Sequence, residues 1–468
     1  MSFNPIYPTT MKQIFLSLLL LLYFYSPLKA QLKVSDNDRY LVYEDGTPFF
    51  YLGDTAWELF HRLDREEADR YLQNRADKGF TVIQAVALAQ LGGLNDPNPY
   101  GHTPLRDNDP SQPNEAYFEH VDYIISKANE MGLIIGMLPT WGSKWKEGLG
   151  EESGIFNTDN ARSYGKFLGE RYRDAGLIWI LGGDANVQNQ EEVDIIAAMA
   201  KGLSEGDGGA HLITYHPRGP GLSSDFFHDA EWLDFNMFQS SHAARDHDNG
   251  LLARNDYQLK PVKPTLDGEP RYEGIVVGFY FNDAQKDLRF DDYDARQAAY
   301  WSLLEGACGH TYGHNSIWQM WAPGRDAVIG AQSPWYDAID HAGGFQMKHV
   351  RNLFESRPYQ LLEPRPDLLL DGPNSGGSKI KVARASDGSF SFVYSSRGEP
   401  FTIDQSMINS DQVRAYWYDP RYGTSSFIHE GDNTGPQTFT PPSSGRGQDW
   451  MLVLDDGTQG FALPGQRK

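Results

Sequence analysis

The sequence predicts a (β/α)₈ TIM-type barrel followed by a small C-terminal antiparallel β-sandwich. Eight short apolar runs alternate with helix-like stretches between about residues 49 and 349. Nearly every run is apolar at its start and polar or aromatic at its end, the polarity of a barrel whose site lies at the C-terminal ends of its strands. After Glu355 the helical pattern stops, and short alternating runs separated by Gly, Ser, Pro and Asn take over.

The candidate strands, in order, are FFYLGDTAW (49–57), TVIQAVALA (81–89), LIIGMLPTW (133–141), LIWILGGDAN (177–186), HLITYHP (211–217), LDFNMFQSS (233–241), KPTLDGEP (263–270) and GHTYGHNSIW (309–318). The intervening helices are expected over 64–79, 115–132, 159–176 and 293–309, the first with Asp64 as N-cap and Gly79 as C-cap. No glycine-rich phosphate loop follows the first strand, which argues against an open dinucleotide-binding sheet. Pro358, Pro364 and Pro366 punctuate a connector. The segments SKIKVARA, SFSFVYSS, QVRAYWYDP and DWMLVLDD then read as sandwich strands, with Trp417 and Trp450 as core residues. The expected organisation is a signal peptide over 1–30, a catalytic barrel over 31–357 and a sandwich over 358–468.

Composition narrows the function. The chain has 468 residues, 40% hydrophobic and 13% aromatic, enough for one barrel-sized core and a smaller one. Its net charge of −22, from 41 basic against 63 acidic residues, argues against nucleic acid or an anionic membrane as partner. Met11 and Lys12 open a short n-region, and Ile14 to Phe24 forms an apolar h-region too short to span a bilayer. With Ala30 before a cut at Gln31, the segment reads as an export signal, and no membrane span is expected in the mature chain; an uncleaved anchor is the other reading. Cys308 is the sole cysteine, so no internal disulfide forms and the core must hold the fold. A secreted or periplasmic protein is expected.

Two carboxylates stand where strand becomes loop: Asp184 after the fourth strand and Glu269 after the seventh. Those strands face each other across a barrel mouth. Glycoside hydrolysis needs such a pair, one carboxyl protonated to assist the leaving oxygen and one ionised to attack carbon or activate water. Gly182 and Gly183 let the backbone approach closely, and Asp267-Gly268-Glu269-Pro270 turns Glu269 sharply out of its strand. The structural alternatives are that Asp184 caps a helix or pairs with an arginine, and that Glu269 pairs with Arg271. Around them Asp54, Trp57, Gln84, Trp141, Tyr215, His216, Gln239, His242, His314 and Trp318 occupy other strand ends. As a set they suit a sugar, whose C–H faces stack on aromatic rings and whose hydroxyls need polar partners. Individually each is more often structural than in contact with a ligand. The histidines show no metal-site spacing, and no G-x-S-x-G elbow is present, so no metal or cofactor is expected.

The stretch FFYLGDTAWELFHRLDREEADRYLQNRADKGFTVIQAV, with WILGGDAN and PTLDGEPRYEG, resembles the apiosidase-like glycoside hydrolases, glycoside hydrolase family 140 and its relatives, over roughly Val34 to Arg357. The tail, with AYWYDPRYG and DWMLVLDD, is similar to a small domain labelled collagen-binding that accompanies them. The resemblance implies a barrel, a retaining mechanism with Asp184 as acid/base and Glu269 as nucleophile, and release of a terminal apiose from pectin side chains. The strand-four acid is Asp where many retaining barrels carry an Asn-Glu pair, so the backbone must bring its shorter side chain closer. Nothing in the tail shows affinity for collagen, and packing against the barrel is the role expected of it. An exo-acting retaining glycosidase on an oligosaccharide or polysaccharide is therefore the leading expectation. The alternatives are a non-catalytic carbohydrate-binding protein on a degenerate barrel and an adhesin acting through the tail.

Overall fold

A computed structural model describes Met1 and residues 31–148 and 152–467. The export segment lies outside the described residues. All eight expected barrel strands are present, each shorter than the run that marked it, and the last gives way to a short helix, Asn315–Trp318, where strand was expected. The strands are Tyr51–Thr55, Val82–Leu88, Ile134–Thr140, Leu177–Gly182, Ile213–His216, Asn236–Gln239, Thr265–Glu269 and Gly309–Tyr312. They pair in parallel from the fifth back to the first, and then on through the eighth and seventh to the sixth. The ring closes between the fifth and sixth strands, where the Asp234 N–H donates to the Ile213 carbonyl at 2.9 Å. Beside it Thr214 Oγ1 donates to the Phe235 carbonyl at 2.7 Å. A two-residue strand, Gly221–Leu222, adds antiparallel to the sixth.

Strand alternation decides which side chains enter the lumen. Tyr51 points inward and donates to Gln84 Oε1 at 3.2 Å, and Gln84 Nε2 reaches across the lumen to the Gly268 carbonyl at 3.0 Å. The first long helix among the described residues (Arg65–Asp77) is closed at its start by a capping box in which the Asp64 side chain accepts the Glu67 N–H at 2.9 Å and the Glu67 side chain accepts the Asp64 N–H at 3.1 Å. Further helices follow the second, third, fourth, sixth, seventh and eighth strands, among them Glu115–Glu130, Thr158–Tyr172, Gln190–Asp207, Asp292–Leu303 and Ala342–Glu355. None of the described helices is long and apolar enough to cross a membrane.

From Leu362 onward the chain forms two antiparallel sheets. The larger takes the order 362–364, 380–385, 390–395, 450–456, 412–419, 424–432; the smaller takes 369–371, 401–404, 436–439. The sheets meet through Ile380, Val382, Phe401, Ile403, Trp417, Phe439 and Leu452. Trp417 stands edge-on to Phe401 and to Trp450, with ring centroids 6.1 and 6.4 Å apart. The other face of the larger sheet packs on the barrel. Tyr394 stacks on Tyr300 at 4.8 Å, Phe392 meets Phe354 at 5.4 Å, and two buried bidentate pairs, Arg296–Asp449 and Arg357–Asp455, close at 2.6–2.8 Å. An apolar face on each side of one sheet explains why its strands read as near-continuous hydrophobic runs.

Candidate active site

The fourth strand ends in three consecutive left-handed residues, Gly182, Gly183 and Asp184, with φ of +91°, +81° and +56°. A Cβ on Gly182 would stand 2.3 Å from the His216 carbonyl oxygen, and one on Gly183 would stand 2.8 Å from the Gly142 nitrogen. Glycine is therefore required twice to bring Asp184 over the barrel mouth. Trp145 Nε1 pins this turn by donating to the Gly182 carbonyl at 2.7 Å, and the Tyr215 hydroxyl donates to the Ala185 carbonyl.

The seventh strand uses a different device. Its pairing with the sixth slips after Phe238, so that Phe238 stands opposite Asp267 while Gln239 stands opposite Glu269. This bulge breaks the two-residue alternation. Asp267 turns to the helix side, where Ser240 Oγ and Asn249 Nδ2 donate to it at 2.9 and 2.8 Å. Glu269 turns into the lumen mouth.

There Glu269 meets two imidazoles. His242 Nε2 lies 3.1 Å from Oε1, and His216 Nε2 lies 3.1 Å from Oε2. The Asp184 N–H donates to His216 Nδ1 at 3.2 Å, and Nε2 of the same ring faces Glu269. One histidine thus orients both carboxylates. Their proton affinities diverge. For Asp184, burial and then the Glu269 charge raise the carboxyl to about 7, against smaller opposing effects of His216, Arg218 and a hydrogen bond from Gln239. For Glu269, burial works upward, but the contacts from His216 and His242 outweigh it and bring the carboxyl down to about 2. A carboxyl that holds its proton and one that sheds it readily thus face the same space.

That space is a cleft of about 640 Å³ lined by both carboxylates. Of the residues singled out from sequence, Trp57, Trp141, Gln239, His242 and Trp318 also line it. The others do not, and each has a physical reason. Asp54 points away from the lumen, where its carboxylate takes Arg75 Nε at 2.7 Å and the Tyr71 hydroxyl at 2.5 Å, fully buried under the first long helix. Gln84 lies in the barrel floor, holding the backbone beside Glu269. Tyr215 braces the Asp184 turn from behind, and His216 sits beneath the two carboxylates. His314 caps a short helix, accepting the Ser316 N–H at 3.0 Å, with its Nε2 3.0 Å from His341 Nδ1. The structural alternatives for the carboxylates are not adopted. Asn189 caps the helix after strand four, and Arg271 turns from Glu269 toward the Arg245 carbonyl and Gln297 Oε1.

Gln90, Arg218, Ser241, Tyr272 and the aromatic run Phe279-Tyr280-Phe281 complete the cleft walls without having been singled out. The aromatic run sits between Gly278 and Asn282 in a loop, and three consecutive exposed rings there were the signal available in the sequence.

Residues 35–360 match the family described as "Apiosidase-like, catalytic domain", and residues 364–455 match that described as "Putative collagen-binding domain of a collagenase". Among solved structures, one described as a glycoside hydrolase is 35% identical, covering 93% of this chain and 98% of its own, with a TM-score of 0.85. A glycoside hydrolase family 5 structure from Bacteroides vulgatus ATCC 8482 is 32% identical, covering 94% and 96%, also with a TM-score of 0.85. No curated protein sequence matches the chain. The barrel, its paired carboxylates and these likenesses agree: the chain belongs to the apiosidase-like family, and it is a glycoside hydrolase.

Proposed function

We propose that this chain is a secreted or periplasmic, exo-acting retaining glycosidase that trims oligosaccharides of plant cell-wall pectin side chains. The observation that carries the reading is that Asp184 and Glu269 line one cleft and are both held by His216. Ionised Glu269 attacks the anomeric carbon while protonated Asp184 passes its proton to the departing glycosidic oxygen. Once Glu269 is esterified, its charge no longer raises Asp184, which then takes a proton from water as that water attacks the glycosyl-enzyme. The second step restores both groups to their starting protonation states.

Three features support the substrate class. Trp57, Trp141 and Trp318 offer ring faces to sugar C–H groups beside the carboxylates. The exposed guanidinium of Arg218 places a cation at the cleft of a chain with net charge −22, which suits the acidic sugars of pectin. The family description names apiose, so a terminal apiose is the sugar to test first. The apolar stretch from Ile14 to Phe24 is the basis for export.

The experiment is incubation of the chain with pectin-derived oligosaccharides, with NMR reading the anomer first released. A monosaccharide appearing with the configuration it had in the substrate supports the proposal. The inverted anomer refutes retention. Binding without any product on long incubation refutes catalysis in favour of a carbohydrate-binding role. N-terminal sequencing of exported protein should find Gln31 first.

A further inference from the structure

Three cations of the β-sandwich converge on one loop of the barrel, residues 240–249, which follows the sixth strand. Arg397 Nη2 lies 3.1 Å from Asp246 Oδ2, and Lys379 Nζ lies 2.6 Å from Asp248 Oδ2. Lys381 Nζ bonds both Asp248 oxygens at 2.8 Å and Glu305 Oε1 at 2.9 Å, and Lys381 itself is buried. The loop forms no strand or helix before Gly250, so no ladder of backbone hydrogen bonds fixes its course. The barrel anchors it at both ends and at Arg245, whose carbonyl accepts from Arg271 and whose guanidinium donates to the Arg289 carbonyl. Near its start, His242 holds Glu269. At its finish, Asn249 donates to Asp267, two residues before Glu269.

A second line of contacts runs the same way. Arg446 of the sandwich lies 2.7 Å from Asp291 and 2.8 Å from Asp294, and Asp294 lies 3.3 Å from Arg245 Nε in the loop. Arg271, just past Glu269, donates to the Arg245 carbonyl and to Gln297, and Gln297 donates to the Gly377 carbonyl of the sandwich at 3.1 Å. Partly and fully buried ion pairs contribute little net stability but are directional, which makes them suited to fixing position.

We propose that the β-sandwich is a working part of the active site, latching the 240–249 loop through Arg397, Lys379 and Lys381 where His242 grips Glu269. This rests on reading Glu269 as the attacking carboxylate. The three cations are positioning residues, since none lines the cleft. The charged and titratable groups around Glu269 are His216, His242, Asp184 and Tyr272, all from the barrel, so the sandwich acts only through the loop.

The test uses the full-length chain with ¹³C-labelled glutamate carboxyls, the Glu269 signal being assigned with Glu269→Gln. In the wild type this signal should stay ionised on acidification to about pH 3, consistent with a carboxyl held near about 2. In the Lys379→Ala/Arg397→Ala double variant, which keeps buried Lys381, it should titrate at least about one pH unit higher, a tenfold change in proton affinity. Gly377→Ala should act alike, because its Cβ would stand 2.1 Å from Asp246 Oδ1. Arg397→Lys should restore most of the wild-type behaviour. Arg414→Ala, which breaks an exposed pair with Glu430 on the same domain, should change nothing. Titration curves that superimpose on the wild type in both the double variant and Gly377→Ala overturn the proposal, whether or not the melting temperature falls. If the wild type released no sugar, the glycosidase reading would fail while this titration still reported on the latch.

Discussion

His216→Phe is the most informative single change at this site. The ring stands edge-on to Trp57 with centroids 5.5 Å apart, and Phe preserves that packing while removing both nitrogens. Two contacts are lost: the acceptor for the Asp184 N–H and the Nε2 beside Glu269. In the proposed mechanism kcat/KM requires Glu269 ionised and Asp184 protonated, so it should fall as pH drops through about 2 and as pH rises through about 7. The optimum then lies roughly midway, near about pH 4–5. A hydrogen bond to a carboxylate contributes about 1.5–3 kcal/mol. The His216–Glu269 contact is close in distance but off the ideal line, so the lower figure applies. At about 1.4 kcal/mol per pH unit, losing it should raise the acidic limb by about one unit. His216 also lowers the proton affinity of Asp184, so its removal raises the basic limb as well. The whole profile should therefore move to higher pH, not narrow or widen symmetrically. The assay is the pH dependence of kcat/KM for monosaccharide release from pectin oligosaccharides. An unmoved acidic limb, or a profile displaced to lower pH, refutes the role assigned to this histidine.

Other changes separate chemistry, binding and stability. Glu269→Ala should leave no measurable turnover, and Asp184→Ala should regain part of its rate on an activated aryl glycoside when azide is added; full activity of either without rescue removes the assignment. Gly182→Ala forces a Cβ into the His216 carbonyl, and the resulting displacement of Asp184 should cost about a hundredfold in kcat, read by steady-state kinetics. Asp54→Ala leaves the Arg75 guanidinium buried without its partner and should cost about 3–5 kcal/mol in denaturant melts, with kcat and KM preserved below the transition. A raised KM with unchanged stability would return Asp54 to the ligand site. Phe279→Ala together with Phe281→Ala removes two exposed rings of the cleft wall. At about 0.5–1.5 kcal/mol per aromatic contact, KM for oligosaccharide should rise at least about fivefold at constant kcat.

What the sequence disclosed follows from which forces act locally. The eight barrel strands were legible because each is a short buried apolar run set off by polar or helical sequence, a signal that lies within a dozen residues. Asp184 was legible for the same reason: two glycines before an acid at a strand end mark a turn that other residues could not make. In the sandwich, the edge strand 424–432 and the short strands 369–371, 401–404 and 436–439 were not singled out. They are brief or largely exposed, so neither length nor alternation marks them.

The ten residues proposed around the carboxylates show where local reading stops. Strand-end position was the shared ground for all of them, yet contact also turns on depth, which keeps lumen-facing Gln84 in the floor, and on facing, which a single residue of register decides. Asp54 falls on the helix side because Gly53 and Thr55 take the lumen positions on either side of it, with Thr55 Oγ1 meeting the Tyr272 hydroxyl at 3.4 Å. Glu269 would have fallen on the helix side with Asp267 had the strand stayed regular, and the bulge at Gly268 turns it inward. No composition rule announces a bulge, because it is a property of pairing with the neighbouring strand, where a Cβ at 268 would stand 2.4 Å from Met237 Sδ. The division of the two carboxyls into acid and base is less local still. It depends on His216 and His242, which stand 53 and 27 residues before Glu269 and reach it only when the barrel closes. The same logic makes the sandwich part of the reaction: the loop that carries His242 takes its position from cations more than 130 residues further along the chain.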